Sequence, residues 1–198
     1  QFAHYYFRKA EQQYPPKTPK DIHFFYNSWG NVYSSQGKSA EALKCFLKCQ
    51  KATNAMESPF MSSVVNSNLG QTYMELNELD SAQKYLSLAS AFFLAEPDMN
   101  SDVQFFVDGL NASLALKQDN LAKATKILSK PYVLDHMPPN YLYLHHKGLA
   151  DLYERKGDYA NALEYQKLTN QYDDSLRNAM MISNVSENEL RFKQDTAI

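Results

Sequence analysis

A surplus of positive charge is what this sequence most plainly lacks. Its 20 lysines and arginines stand against 22 aspartates and glutamates, for a formal net charge of -2 and a pI near 6.2. A chain without excess cations cannot neutralise a run of phosphates, so direct nucleic-acid contact is not expected, and an anionic membrane surface is no better matched. Long apolar runs are missing too. No stretch approaches the roughly 18 residues that a spanning helix needs, and the opening "QFAHYYFRKAEQQYPP" does not have the form of a signal sequence. Cysteine is scarce, with Cys45 and Cys49 four apart on one expected helix. That spacing shares a face but gives poor disulfide geometry, and with no further Cys or His at ligand spacing nearby the two read as packed thiols. His145 and His146 are adjacent, leave a helix on different sides, and are poor joint metal ligands.

Catalytic signatures are equally scarce. There is no G-x-S-x-G, HExxH, P-loop or GxGxxG, and the acids around Glu78-Leu79-Asp80 and Tyr172-Asp173-Asp174 read as turn and surface charges. An enzyme is not expected, nor a cofactor or a metal. The 13% of aromatic residues, which include Tyr14 and Tyr141, are absorbed by packing rather than by ligand stacking.

What the sequence has is repetition. A turn residue is followed five positions on by alanine in "YSSQGKSAEALKCF" (Gly37, Ala42), "YMELNELDSAQKYL" (Asn77, Ala82), "LKQDNLAKATKIL" (Asp119, Ala124) and "DLYERKGDYANALEY" (Gly157, Ala162). The alanines recur at intervals of 40, 42 and 38, and Ala3 lies 39 before the first. Upstream of three of the turns stands a small residue with a tyrosine three later: Gly30 and Tyr33, Gly70 and Tyr73, Ala150 and Tyr153. The third copy departs, with Ala112 and Ala115 there. A period of this size marks a repeat architecture.

All eight prolines fall between apolar-periodic segments, where a missing N–H does a helix no harm. Between them the pattern predicts helices at about 2–14, 21–36, 39–53, 59–76, 79–94, 101–117, 121–129, 140–156 and 159–173, with a last one from about 175, and no strand. Ser58 followed by Pro59 reads as an N-cap and first-turn proline, and Ser39 as another cap. Two antiparallel helices joined by a short turn need small residues where their backbones approach. Gly30, Gly70 and Ala150 on the first helices and Ala42, Ala82, Ala124 and Ala162 on the second fill that need, with Tyr33, Tyr73, Tyr153, Phe46, Leu86 and Leu128 packed between. Gly37 and Gly157 fall where the chain reverses and positive φ is tolerated.

This pattern resembles the tetratricopeptide repeat, whose helix–turn–helix unit reads W-x2-L-G-x2-Y, then A-x3-F, then P. "NSWGNVYSSQGKSAEALKCF" and "NSNLGQTYMELNELDSAQKYL" match well, as does "HKGLADLYERKGDYANALEY" apart from Gln166. The copy at about 105–131 is degenerate, and "AHYYFRKAEQQYP" matches only a second half-repeat. The resemblance implies an all-α, right-handed α-α superhelix of tetratricopeptide-like repeats over 1–174: a half repeat at 1–19, repeats at about 21–54, 59–95, 101–131 and 140–173, then a capping or connector helix at 175–198. The opening inside a repeat suggests a fragment of a longer protein. "YERKGDYANALEYQKLTNQYDDSL" followed by a polar helix further resembles the last repeat of sensors and transcription regulators from Bacteroides-type bacteria. In those relatives the array precedes a membrane helix and a signalling or DNA-binding domain. That implies the outer side of the inner membrane as the location, with the cytoplasm as the alternative.

In such an array the first helices line the concave surface. Counting from the motif places Asn27, Asn31, Ser34, Ser67, Gln71, Met74, Lys147, Asp151 and Glu154 there. The first two sets are polar and uncharged, suited to an extended peptide backbone or a polar small ligand, so the expected role is a protein- or peptide-interaction or sensing module, with a receptor that closes its groove on a peptide or polar small ligand as the alternative. Repeats that clamp a chaperone's terminal carboxylate use basic residues flanked by asparagines. Asn31 and Asn68 fit the asparagine places, but Asn27, Phe106 and Leu110 stand where cations are required, so that clamp is absent. In the tail, Met181, Val185 and Leu190 trace an apolar stripe expected to pack on the last repeat up to about Val185.

Overall fold

Proline placement and one recurring turn cut this chain into helices. The structure, a computed structural model, describes the backbone of residues 2–96 and 101–195 and the side chains of 3–96 and 102–178. Among the described residues there is no strand. The helices are α1 (Phe2–Gln13), α2 (Pro19–Ser35), α3 (Ser39–Asn54), α4 (Pro59–Glu75), α5 (Leu79–Ala95), α6 (Ser101–Lys117), α7 (Leu121–Leu128), α8 (Pro139–Arg155) and α9 (Tyr159–Asp195). Pro19, Pro59 and Pro139 open α2, α4 and α8, where the N–H they lack would have no partner. Ser58 accepts from the Met61 N–H at 3.4 Å, as expected of a cap. Thr18 and Asp21 add a reciprocal capping box. Ser39 corrects the expectation: it is the first residue of α3 rather than its cap, and its hydroxyl donates to Glu75 across to α4 at 2.7 Å.

The four turns within pairs are built alike. Residues 37, 77, 119 and 157 take φ of 69, 61, 57 and 76°. In each, the next residue's N–H reaches back five positions: Lys38 to the Tyr33 carbonyl, Glu78 to Tyr73, Asn120 to Ala115 and Asp158 to Tyr153, at 2.8–3.0 Å. With the accompanying bonds from Gly37, Asn77, Asp119 and Gly157 to the carbonyls three before them, these are Schellman closures. Glycine fills two of the left-handed positions, and Asn and Asp, the side chains that tolerate that region best, fill the others.

Across the first two of these turns the second helix presses a large side chain onto the first. Phe46 and Leu86 are essentially fully buried. A Cβ placed on Gly30 would sit 2.5 Å from the Phe46 ring, and one on Gly70 would sit 2.6 Å from Leu86. Neighbouring pairs then share cores: Val65 and Leu69 of α4 join Trp29, Phe46 and Cys49, Leu110 and Leu114 of α6 join Met74 and Leu86, and Leu152 of α8 joins Ala124 and Leu128. No pair buries both faces alone, so the pairs stack into the expected all-α superhelix.

Two elements differ from the sequence pattern. The segments expected at 159–173 and from 175 form one 37-residue helix, α9, because neither glycine nor proline interrupts it. The side chains of the expected stripe at Met181, Val185 and Leu190 lie outside the described residues. Ala162, expected to be enclosed like Ala42 and Ala82, is half-buried, since the residue four on is Gln166 rather than a large apolar side chain.

The glycines give a sign-discriminating test. Gly30→Ala and Gly70→Ala overpack enclosed sites and should each cost about 1–3 kcal/mol. Gly148→Ala meets only Leu128 at 3.4 Å and gains helix propensity, so it should be neutral or stabilising by up to about 1 kcal/mol. Urea unfolding followed by circular dichroism separates the two classes.

Candidate functional site

The first helices α2, α4, α6 and α8 lie side by side, and polar side chains tie them together. Asn68 of α4 donates its amide to Asn27 of α2 at 2.9 Å. Arg155 at the end of α8 donates to the Leu116 carbonyl of α6 at 2.9 Å and pairs with Asp119 in the turn beyond. Between those ties lie the positions that the motif places on the concave face. Asn31 is exposed, and its side chain makes no hydrogen bond among the described residues. Ser34 is half-buried beside it, and the amide of half-buried Gln71 donates to Glu75 at 3.1 Å. At the other end Lys147 is exposed with its ammonium 5.6 Å from the centre of the Tyr143 ring. Asp151 accepts from Arg155 at 2.7 Å, and Glu154 is exposed.

Two of the nine do not reach this surface. Ser67 is buried and donates to the Val64 carbonyl at 2.7 Å, and Met74 is buried against Leu86, Leu110 and Leu114. The cause is the crowding of α4, which packs against α3, α5 and α6 and so keeps little free circumference. Asn27 is half-buried and spends its carbonyl on Asn68. The accessible set is therefore Asn31, Ser34 and Gln71 at one end and Lys147, Asp151 and Glu154 at the other.

One juxtaposition looks like chemistry. His23 Nδ1 lies 2.7 Å from Thr53 Oγ1 and 3.4 Å from Cys49 Sγ. Sequence spacing missed it because the residues are 26 apart. The signal was their distance from the turn, fourteen before and twelve after Gly37, which an antiparallel pair brings together. The hydrogen bonds assign it a packing role. Thr53 gives its proton to the Cys49 carbonyl at 2.8 Å, so its oxygen accepts from His23, and the imidazole proton must sit on Nδ1. The Cys49 thiol faces the His23 carbonyl at 3.4 Å. A protonated Nδ1 cannot serve as base to that thiol, and burial pushes both Cys45 and Cys49 up to about 11. The two cysteines are free and enclosed, as expected. Among the described residues no group of His, Cys, Asp and Glu is arranged to hold a metal.

Three buried histidines share one electrostatic property. Desolvation lowers His23, His145 and His146, with His145 brought to about 4 by burial and the neighbouring His146. A phenyl ring and an imidazole crowd His145, with the Phe105 centroid at 4.9 Å and that of His146 at 5.7 Å.

These environments generate two expectations. The folded protein should react with a thiol-specific disulfide reagent only at its opening rate, with both thiols labelled in denaturant. Fast labelling of the native protein would contradict the enclosed, protonated state. For the histidines, the unfolded chain binds protons below about pH 6.5 while the folded chain does not, so stability should fall as pH drops from there toward 4. His145 alone would contribute a loss on the order of 3 kcal/mol across that window. The melting temperature of His145→Asn should accordingly decline less between pH 6.5 and 4 than that of the unaltered protein.

The comparisons with known proteins agree with this architecture. The tetratricopeptide repeat model matches residues 25–55, 65–90 and 148–168. Those segments fall within the pairs α2/α3, α4/α5 and α8/α9, covering part of each, and leave out the degenerate pair α6/α7. Among solved structures the chain is similar to BtubC (BKLC) from P. vanneervenii, with a TM-score of 0.63 and 16% identity over 86% of this chain and 74% of that one. No curated protein matches the sequence. Three segments of the chain are thus similar to the tetratricopeptide repeat, with a divergent helix pair between the second and third of them.

Proposed function

We propose that this chain is a non-catalytic interaction module that receives an extended peptide segment of a partner protein along its first-helix surface, within a bacterial signalling or transcription regulator. Tetratricopeptide repeats generally mediate protein–protein interaction. The observation that carries the reading is the state of the first-helix side chains. Asn31 is exposed with an unspent amide, and Asn27 and Asn68 next to it are already locked to each other. A free carboxamide one helical turn along α2 from that fixed pair offers a donor and an acceptor together, the pair that a peptide group requires. Lys147 and Glu154 supply both charge signs at the far end, which favours a peptide of mixed charge over a uniformly charged one. The regulator setting rests on the resemblance of the last repeat and the helix that follows it. The division into an array over 1–174 and a cap or connector over 175–198 belongs to the same reading, with α9 leading directly from one to the other.

A random-peptide display selection against the whole chain tests the binding claim. Selected peptides should lose roughly tenfold in affinity on Asn31→Ala and should be displaced by a bulky label placed at residue 147. Peptides that bind Asn31→Ala and the labelled protein as tightly as the parent would sink the reading.

A further inference from the structure

The divergent third pair leaves a second kind of site. The helix α7 has 8 residues, where its counterparts α3 and α5 have 16 and 17. At 1.5 Å per residue the difference is about 12 Å of missing helix. Beside its end, between α7, α8 and α9, lies a half-open cavity of about 360 Å³. Leu128, Leu134, Leu149 and Leu152 give it apolar walls. This volume falls in the range that takes a small molecule. None of the nine first-helix positions borders it.

Two histidines that line the cavity keep ring nitrogens without a hydrogen-bond partner among the described residues. His145 is 9% exposed, and neither of its ring nitrogens has a hydrogen-bond partner among the described residues. No described side-chain nitrogen or oxygen that is completely enclosed lacks a partner, so these nitrogens keep some access to open space, and His145 is among the side chains that line the cavity. A buried polar group left without a partner is costly unless something fills the place. His146 is held more tightly. Its ring is stacked between Tyr165 and Tyr172, with centroids at 5.9 and 5.5 Å, and its Nδ1 lies 2.8 Å from the Leu142 carbonyl. A carbonyl only accepts, so Nδ1 carries the proton and Nε2 presents a lone pair. Tyr153 and Tyr165 lie face to face on the same wall, 5.6 Å apart. The one lining side chain that carries a charge at neutral pH is Lys156, which is exposed.

We propose that the cavity between α7, α8 and α9 binds a small aromatic carboxylate whose ring carries an N–H or O–H donor. The flat body enters between the leucines and the tyrosines, the donor meets His146 Nε2, and the carboxylate remains at the rim beside Lys156. His145 offers one donor and one acceptor to whatever polar edge the ring presents. Absence of any lining acid disfavours an amine, and the apolar walls disfavour a sugar. This site is separate from the peptide surface, so either reading can fail alone.

Titration of the intact chain with indole-3-acetate and 4-hydroxyphenylacetate, followed by proton–carbon correlation spectra of the histidine rings, tests the proposal directly. The expected result is a saturable shift of the His145 and His146 ring signals, with His4, His23 and His136 unmoved. Phenylacetate, which lacks the donor, should bind about tenfold more weakly, and Lys156→Gln should weaken the two acids by about threefold to tenfold. Tyramine should not compete. If none of the acids moves the His145 and His146 signals at millimolar concentration, or if tyramine binds as well as 4-hydroxyphenylacetate, the proposal is overturned. Both results are read on the unaltered protein and do not depend on a variant folding.

Discussion

A large side chain pressed onto bare backbone is the contact on which this molecule depends. Phe46 over Gly30 and Leu86 over Gly70 bring two antiparallel helices closer than any side chain on the first helix would allow. The Schellman turns hold the same distance from the other end, since each aims its second helix back along the first with two fixed hydrogen bonds. Closeness at the turn and closeness at the middle are thus one constraint expressed twice. It accounts for why small residue, tyrosine, turn and alanine recur in fixed order. It also explains the stacked tyrosines Tyr73 with Tyr85 and Tyr153 with Tyr165, which occupy the same place in two repeats, at 5.3 and 5.6 Å.

Such a pair is closed on one side only, and the remaining faces are covered by the next pair. Trp29 shows the consequence at the first junction. It stacks on Phe7 of α1 at 5.5 Å, donates its indole N–H to His4 at 3.2 Å and shares a core with Val65 and Leu69 of α4. One side chain therefore joins three successive layers. A stack assembled this way leaves its first helices adjacent, which is why Asn27 can reach Asn68 across 41 residues of sequence.

The parts of this fold legible in the sequence were those set by short-range rules. Turn positions, the first-turn prolines, the cap at Ser58 and the small-to-large partnering within a pair all follow from spacings under about twenty residues. What spacing could not reveal was how much of each helix its neighbours would cover. Ser67 and Met74 have the right register for the concave face, yet α4 is enclosed on three sides and both are buried. Ser39 likewise has the chemistry of a cap, but α3 already begins at Ser39, and its hydroxyl donates instead to Glu75 on the next pair. The His23, Cys49 and Thr53 cluster escaped for the opposite reason. Its members were visible as residues, and only the antiparallel alignment about Gly37 makes them neighbours.

Where the repeat degenerates, the same constraint predicts what must replace it. With α7 ending at Leu128, the groove that a longer second helix would fill has to be closed by irregular chain. Residues 129–138 do this with side chains rather than a helix: Tyr132, Leu134 and Met137 pack against Phe105, Leu142 and Tyr141. Tyr132 is anchored by donating to Asp108 at 2.5 Å, and Lys130 pairs with the same carboxylate at 2.7 Å. A helix fills space continuously along its axis, whereas a few anchored side chains fill it in patches. The cavity beside His145 and His146 is the unfilled patch, bounded by the last turn of α7 and by the aromatic face of α8 and α9. The shortness of α7 and the opening of a cavity next to it are therefore linked: a second helix that stops at Leu128 cannot cover the pair that follows along its whole length.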